Sequence, residues 1–498
     1  MSPATFDTVL LHRRQFVVAP GPRLIKPDWR TYDLAHGQVL SACPEAPIQR
    51  IDDRDHHTWT LIGHAFQSAL DEPLPADQIA ALGSDRVVPA TYTWAGRWTL
   101  IGPEVVVPDA AGFLGVFYLD PAADGEFLAS SSLAVMKQVK PELSEDPRRL
   151  HRHGLSWFIT PSSKLEGVKT LLPDQMLSLR TGSVTYLKRT FPERYEAMTT
   201  DERAEALLAN FGRVLRDLSE KGGRVSLALT AGIDSRSTLA TAVAAGVELQ
   251  AVTMQHPQIS KADRVIPPAI CRRLGVRHSY LRPGALDRRR SALYEAHTLG
   301  NSADADLYFY AHRVFDQLGD TAWLIRSGPW CMAKAVWHEP FSHLTWDDLR
   351  RRPEALILRH RTFSYLRRST ESLREWVAWR DAHPEPFDWR DLWQRDQRFA
   401  GSASAIEQSL DLLDCTAVVA VNCSAFYDIM LSEPAAARRK KTLQLRLLEL
   451  SGAGLESVPV NPALDSELAA YVRKGTEFGG GIALETRNVV GAVLSGRR

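Results

Sequence analysis

The sequence predicts an α/β protein: an α+β layered N-terminal domain, followed by a doubly wound parallel sheet with a helical C-terminal part. Three observations support this prediction. Short aromatic and β-branched runs separated by Gly, Pro and Asp fill the chain from about residue 6 to residue 187. Strand and helix patterns then alternate from residue 224 to residue 281, as in parallel sheets with right-handed crossovers. The remainder of the chain is mostly helical in pattern.

Length and composition set the class of protein. A chain of 498 residues is long for one core and favours two or three domains. With 44% hydrophobic and 24% charged residues it has the composition of a soluble globular protein. Because 60 basic residues face 59 acidic ones, no global field favours nucleic acid or membrane, and we expect neither as a partner. A homodimer is left open.

The N-terminus and the cysteines favour the cytoplasm. The opening "MSPATFDTVLLHRRQFVVAPG" lacks the build of a signal peptide, because Asp7 interrupts it and its apolar runs are short. No run of about 18 apolar residues could span a bilayer. Without CxxC or Cys/His ligand spacing, we expect buried thiols in a reducing compartment. The cysteines are Cys43, Cys271, Cys331, Cys415 and Cys423.

The first domain is predicted to be rich in strands. A hairpin is expected around Thr181-Gly182, and a helical insertion at His56–Leu70. We place the boundary near residue 195, which gives domains 1–195 and 196–498. The expected strands lie in "YTWAGRWTLIG", "EVVVPDAAG", "FLGVFYLD" and "EFLASSS".

The second domain alternates from its first strand. A strong helix is expected to end near Lys221, before the strand Arg224–Leu229. A helix from Ser235 to Ala245, closed by Gly246, follows that strand. The next elements are a strand "ELQAVTM", a helical stretch Asp263–Leu274 and a strand "RHSYL".

The loop "TAGIDS" between the first strand and helix of this domain has the composition of a phosphate site. Its small residues let a ligand approach backbone N–H groups, and the helix N-terminus adds positive charge. Asp234 would repel a bare phosphate, but it could hold Mg²⁺ that bridges phosphate oxygens. The alternative is a helix cap, since Ser and Asp are common at helix starts. The absence of GKS, GKT and GxGxxG excludes Walker and dinucleotide loops.

The stretch "LALTAGIDSRSTLA" resembles the pyrophosphatase loop S-G-G-x-D-S of the asparagine synthetase superfamily. Three segments before the loop are similar, in order, to the family's glutaminase-type N-terminal domain: "AGRWTLIG", "VPDAAGFLGVFY" and "SKLEGVKTLLPDQMLSLRTG". Two later segments, "CSAFYDIMLSEP" and "ARRKKTLQLRLLELSGAGLESVPVNPA", resemble the family's late segments. The resemblance covers most of the chain but is close in letters at the loop alone. It implies an Ntn-hydrolase-like domain followed by an ATP-pyrophosphatase domain.

The resemblance also implies roles for single residues. Lys441, or its neighbour Lys440, would steady negative charge on the phosphates, although a solvated basic helix start is the alternative. Tyr308 would transfer a proton, and Tyr310 is a second candidate for this role. Aromatic packing is the alternative role. Asp234 would bind Mg²⁺. The residues implied in ATP binding are Leu229, Thr230, Ala231, Gly232, Ile233, Asp234, Ser235 and Met254.

Two departures from the family pattern concern the N-terminus and the loop. Glutamine-dependent members carry a nucleophilic cysteine directly after the initiator methionine, whereas this chain begins Met1-Ser2-Pro3. We therefore expect an inactive glutaminase half, as in the similar beta-lactam synthetases and lasso-peptide cyclases, and no use of glutamine. Thr230 and Ala231 replace the usual Ser and Gly, which adds only a methyl group at each position.

The third departure concerns the metal. The family has an acidic residue after a later strand, but "WLIRSGPWCMAKAVWHE" offers Cys331 near that place and no acid until Glu339. Asp304 is our candidate for the missing ligand, with Asp263 and Asp306 as alternatives. A loop with a helix cap explains Asp304 and Asp306 equally well.

The function that follows is an ATP-dependent ligase forming AMP and pyrophosphate. It would adenylate a small-molecule or peptide carboxylate and join it to an amine, because adenylate leaves far more readily than hydroxide. One alternative uses the acyl-adenylate for isomerisation or epimerisation. The other is a degenerate, non-catalytic nucleotide-binding or scaffold protein. Nothing in the sequence selects the substrate.

Overall fold

A computed structural model of the chain describes residues 9–121, 126–148, 150, 157–189, 191–301, 305–356 and 367–464. The strands are β1 (Phe16–Pro20), β2 (Arg30–Asp33), β3 (Gln38–Ala42), β4 (Ile48–Asp52), β5 (Thr58–Gln67), β6 (Trp94–Ile101), β7 (Val105–Pro108), β8 (Phe117–Leu119), β9 (Ala129–Ser130), β10 (Val168–Thr170), β11 (Gln175–Ser178), β12 (Val184–Tyr186), β13 (Arg224–Ala228), β14 (Gln250–Met254), β15 (Arg277–Leu281), β16 (Thr321–Ile325) and β17 (Thr416–Val418).

The α-helices are α1 (Pro75–Ala81), α2 (Ser84–Ala90), α3 (Leu133–Val139), α4 (Arg194–Ala197), α5 (Thr200–Glu220), α6 (Ile233–Ala244), α7 (Lys261–Leu274), α8 (Arg288–Thr298), α9 (Ala305–Ala311), α10 (Trp346–Arg351), α11 (Arg367–Ala382), α12 (Trp389–Trp393), α13 (Ser404–Ser409), α14 (Ser424–Leu431), α15 (Ala435–Arg439) and α16 (Thr442–Leu450). A π-helix at Gln394–Ala403 joins α12 to α13, and short 3₁₀ segments include Gly328–Lys334.

Two antiparallel sheets form the first part of the protein. Their strand orders are β10-β8-β9-β1-β3-β2 and β12-β11-β7-β6-β5-β4. Alternate residues of β1 face opposite sides, as the period of two in a strand requires. Phe16 and Val18 pack between the two sheets, whereas Val17 and Ala19 pack on the outer side with α3. On the outer side of the second sheet, Trp59 packs with α1 and α2. The result is a layered α+β arrangement.

The hairpin predicted in this region is confirmed, and one predicted helix is wrong. Strands β11 and β12 pair antiparallel around Gly182, whose φ of +68° is a left-handed conformation that glycine adopts without steric cost. The expected helical insertion at His56–Leu70 is instead mostly β5, paired with β4 and β6. Its threonine, tryptophan and isoleucine side chains favour a pleated surface, and they pack on both faces of the sheet.

A five-stranded parallel sheet forms the second part, in the order β15-β14-β13-β16-β17. The strand β13 lies in the centre and pairs parallel with β14 and β16. Buried residues of α5, α6, α14 and α16 pack with this sheet in one extended core. This confirms the predicted α/β fold class with its parallel sheet and helical C-terminal part.

The helical C-terminal part has its own aromatic core. Trp157, Trp376 and Trp393 are fully buried there, and Trp389 and Leu349 pack with them. Trp157 comes from the first part of the chain, so this core joins the two parts. No helix within the described ranges is long and apolar enough to cross a membrane.

Candidate functional site

The loop Leu229–Gly232 leaves the carboxyl end of the central strand β13. The N–H of Leu229 still donates to the Val252 carbonyl (2.8 Å), so pairing with β14 continues up to the loop. The strand order reverses at β13, because β14 and β15 lie on one side while β16 and β17 lie on the other. Ligands of open α/β sheets bind outside the carboxyl ends of the strands at such a reversal.

Hydrogen bonds from side chains hold the loop in shape. The Ser235 hydroxyl accepts from the Thr230 N–H (3.0 Å), and the Thr230 hydroxyl accepts from the Gly232 N–H (3.2 Å). The Asp263 carboxylate accepts from the Ala231 N–H (2.7 Å). Gly232 precedes α6 and supplies no side-chain cap, so the N–H groups of the first helical turn stay available for an anion.

Asp234, in the first turn of α6, is paired with two side chains from distant segments. Lys334 Nζ donates to Asp234 Oδ2 (2.6 Å), and Gln444 Nε2 donates to Oδ1 (3.0 Å). Lys334 ends the 3₁₀ segment after β16, and that segment is fixed on α6 by Trp330, whose Nε1 donates to the Thr238 hydroxyl (3.0 Å). The Asp234 carboxylate is therefore neutralised by an ammonium group of the chain itself.

Arg236, two residues further along α6, is a fully buried cation. Its guanidinium donates to the carbonyls of Ala231 (3.1 Å) and Pro459 (3.0 Å), and it also contacts the Val458 carbonyl. No carboxylate within the described residues forms an ion pair with it. Burial lowers its pKa to about 10, so the group stays charged at neutral pH. Its charge lies against the Ala231 carbonyl and favours an anion at the loop, while the Asp263 carboxylate on the Ala231 N–H opposes it.

The same contacts bring a C-terminal segment over the loop. The N–H of Asn461 donates to the Ala231 carbonyl (3.2 Å), while Val458 and Pro459 are held by Arg236. The loop is thus covered on one side by residues 458–461. Thr230 is exposed, and Gly232 and Asp234 are half-buried, so these residues remain accessible to a ligand.

The residues around Asp234 do not fit a bound Mg²⁺. Mg²⁺ takes oxygen ligands, typically one or two carboxylates with phosphate oxygens. Here an ammonium group lies against Asp234, and no cluster of three potential ligands occurs in the described part of the chain. At the place of the missing acid, burial raises the pKa of the Cys331 thiol to about 12, so that thiol is neutral. We derive no step through a metal ion.

The two lysines implied by the resemblance lie at the start of α16. Lys441 precedes the first helical residue, with a left-handed φ of 61°, and Lys440 is exposed. Gln444, which contacts Asp234, lies one turn after Lys441 on the same helix. Residues three apart share a helix face, so this contact brings the start of α16 to the loop.

Met254 and Tyr308 pack against the same apolar cluster, which includes Val252 of β14. Met254 ends β14 and packs on the cluster of Val252, Phe309 and their neighbours. The Tyr308 ring lies 4.3 Å from the His312 ring at an interplanar angle of 35°, and burial raises its pKa. These are contacts that the packing alternative expects, and proton transfer by Tyr308 stays a prediction.

The three acidic residues considered as metal ligands have different surroundings in the structure. Asp304 lies outside the described residues. Asp306 is buried and accepts from Arg326 (3.2 Å), which directly follows β16. Asp263 shapes the loop through Ala231 and accepts from the Ser260 hydroxyl (2.8 Å).

Three residues at this site were missed by sequence reasoning: Lys334, Gln444 and Arg236. Gln444 could have been suspected, because it lies one helical turn from Lys441. Lys334 lies in the segment "WLIRSGPWCMAKAVWHE", where the family pattern has an acidic residue, so the pattern gives no reason to expect a lysine at the site. Arg236 gives no sequence signal, since only the folded chain brings the carbonyls of residues 455–459 to it.

Comparisons with known proteins assign no family to the chain. No family model matches it, and no curated protein matches it significantly. Among solved structures, one similar chain is the allosteric regulatory enzyme of purine biosynthesis, with 9% identity and a TM-score of 0.23. The match covers 58% of this chain and 73% of that one.

Proposed function

We propose that the protein is an ATP-dependent amide ligase that forms AMP and pyrophosphate, adenylates a carboxylate and uses an amine instead of glutamine. The observation that carries the proposal is that the loop joins a helix N-terminus without a side-chain cap to a buried cation that has no ion-pair partner among the described residues. Lys334 neutralises Asp234, whereas Arg236 keeps its charge unpaired beneath Ala231. A helix N-terminus adds to this field, and phosphate is the anion that such sites bind.

In this proposal each element has one task. The first-turn N–H groups of α6, above Arg236, bind the β- and γ-phosphates. Lys441, or Lys440, neutralises charge that develops at the α-phosphate as the substrate carboxylate attacks and pyrophosphate departs. The amine then attacks the acyl carbon, and AMP leaves with the bonding electrons. ATP is the substrate nucleotide, and the carboxylate and amine come from small molecules or a peptide.

A second candidate is a degenerate nucleotide-binding or scaffold protein without turnover. The ion pair between Lys334 and Asp234 favours it, because the carboxylate that would hold a metal is already occupied. Catalysis separates the two candidates. Hydroxylamine trapping of acyl-adenylates from a panel of carboxylates gives hydroxamates and AMP with a ligase, and none with a scaffold protein.

The ATP site itself is tested with a pair of glycine variants. At Gly232, whose φ is −72°, an added methyl group would lie 3.2 Å from the Thr230 hydroxyl and 3.8 Å from the Asn461 side chain, and would fill space beside the loop. We expect Gly232→Ala to fold but to weaken ATP binding at least tenfold, measured by calorimetry and by the ATP-induced rise in the thermal midpoint.

Gly328→Ala is the matched control. It begins the 3₁₀ segment at the same edge of the sheet, and an added methyl group there meets no atom within 4 Å. Unchanged ATP binding in Gly232→Ala, or no ATP binding in the wild type, would remove the nucleotide site and the ligase with it.

A further inference from the structure

A cavity away from the loop contains polar atoms without partners. It has a volume of about 40 Å³ and lies between the β11–β12 region and the helical C-terminal part. That volume is room for about three water-sized groups. Apolar and aromatic side chains line most of it, including Phe191, Met332, Phe387 and Leu431. We call it the Arg189 cavity.

Three buried atoms that line this cavity have no hydrogen-bond partner within the described residues. They are Arg189 Nη2, Ser424 Oγ and Asp174 Oδ1. Ser424 and Asp174 are each 3% exposed. Leaving such groups unpaired in a protein interior costs free energy, because each has lost its hydrogen bonds to water. Three unpaired atoms at one cavity indicate a ligand or ordered water that satisfies them.

The neighbouring charges of the Arg189 cavity nearly balance. Arg395 donates two hydrogen bonds to Glu385 (2.7 and 2.8 Å) and one to Asp396 (2.9 Å). Arg380 contacts Asp174 and Glu385.

These two arginines face three carboxylates, and the cation of Arg189 brings the sum to zero. The remaining acid, Asp428, accepts from the Tyr92 hydroxyl (2.7 Å). A ligand of net charge zero therefore suits the cavity better than an anion or a cation alone.

The unpaired atoms offer both kinds of contact. Arg189 Nη2 is a donor, the Ser424 hydroxyl can donate, and Asp174 Oδ1 is an acceptor. A molecule that carries both an acceptor group and a donor group would offer a partner to each kind of atom. Apolar walls with a few convergent polar groups are typical of small-molecule sites.

We propose that the Arg189 cavity binds a small α-amino acid in its zwitterionic form. Arg189 and Ser424 bind its carboxylate, and Asp174 binds its ammonium group. Glycine and alanine fit the volume, whereas leucine does not. The proposal does not depend on the ligase, because no atom of the nucleotide loop takes part in it.

Calorimetry and thermal midpoints of the full chain test this site with glycine, L-alanine, acetate, methylammonium and L-leucine. We expect glycine or alanine to bind at least tenfold more tightly than acetate, methylammonium or leucine. Acetate binding as tightly as glycine would make the site a general carboxylate site and overturn the proposal. Binding of none of the five would leave a cavity that holds water alone, which also overturns it.

Two variants and a control locate the binding. Arg189→Gln removes the cationic donor and should weaken glycine binding more than tenfold. Ser424→Ala removes one hydroxyl in an otherwise intact core and should weaken it three- to tenfold. Arg180→Gln, on the exposed hairpin between β11 and β12, should leave it unchanged. If Arg189→Gln unfolds, Ser424→Ala decides the outcome, and wild-type affinity in that variant contradicts the proposal.

Discussion

The loop Leu229–Gly232 with the adjoining Asp234 and the Arg189 cavity differ in how their charged and polar groups are paired. At the loop, the Asp234 carboxylate has a partner on each oxygen, and its closest partner is a lysine at 2.6 Å. In the cavity, two arginines and three carboxylates are tightly paired, yet Arg189 Nη2, Ser424 Oγ and Asp174 Oδ1 remain without partners. The loop has a cation without an ion-pair partner among the described residues, and the cavity has hydrogen-bonding atoms without partners.

This difference indicates which kind of ligand each of the two sites can bind. A helix N-terminus beside a cation without an ion-pair partner gains by binding an anion. A site with balanced charge but unpaired donors and acceptors gains by binding a neutral molecule with complementary groups.

The largest expected effect comes from opening the ion-pair network beside the cavity. Arg380 has a side chain only 2% exposed, and it pairs with Asp174, Glu385 and Asp396. Arg380→Met should lower the free energy of unfolding by about 3–5 kcal/mol, because it leaves buried carboxylates without their cation. Urea unfolding measures this.

Arg350→Met is the control for that variant. Arg350 pairs with Asp347 and Asp381 at the surface, where its side chain is 51% exposed. Such pairs contribute at most about 1 kcal/mol. Equal losses in the two variants would show that the network beside the cavity is no more important than a surface pair.

The second expected effect is a pH dependence of stability that comes from Asp428, which lines the Arg189 cavity. Burial raises the pKa of Asp428 to about 7, against an ordinary value of 3.8. The groups that face it are the Tyr92 hydroxyl, Arg189, Arg395 and Glu385. Between pH 4 and 7 the folded state holds a proton that the unfolded state has lost, so this group lowers stability as pH rises through that window.

Asp428→Asn should remove that contribution. Relative to the wild type, the variant should gain about 2–4 kcal/mol of unfolding free energy as pH rises from 4 to 8, measured by denaturant unfolding. Asparagine can still accept from Tyr92. A constant difference between the two proteins across this range would show that Asp428 is ionised normally.

A smaller effect is expected at the loop from Lys334→Met. The pair with Asp234 is partly exposed, so its loss should lower stability by about 1 kcal/mol. The informative readout is the effect of Mg²⁺. In the wild type the ammonium group occupies the place beside Asp234, and Mg²⁺ should change ATP affinity less than twofold.

In Lys334→Met the carboxylate becomes available for a cation, so Mg²⁺ should tighten ATP binding at least fivefold. The double variant with Asp234→Asn should lose that gain. Strong Mg²⁺ dependence in the wild type, abolished by Asp234→Asn alone, would instead restore Asp234 as a metal ligand.

Local patterns were sufficient for most elements of the parallel sheet. The strand "RHSYL" is β15 residue for residue, and β13 ends one residue before its predicted end. The helix after the loop begins at Ile233, two residues earlier than predicted. Apolar strands bounded by glycine carry strong local signals. The helix predicted at His56–Leu70 was wrong because apolar residues of this segment pack on both faces of a sheet. A short window of sequence does not show this.

The amino-acid sequence alone predicts the α/β class, the alternation that builds the parallel sheet, and the position of a small-residue loop before α6. Each depends on neighbours within a few residues. The pairing of charges at the two sites emerges in the folded chain. Lys334 and Gln444 reach Asp234 from 100 and 210 residues away, and the Arg189 cavity joins segments from both parts of the chain. Which charges are neutralised and which atoms stay unpaired depends on such long-range contacts, because electrostatic and hydrogen-bonding energies follow distance in space and not distance along the chain.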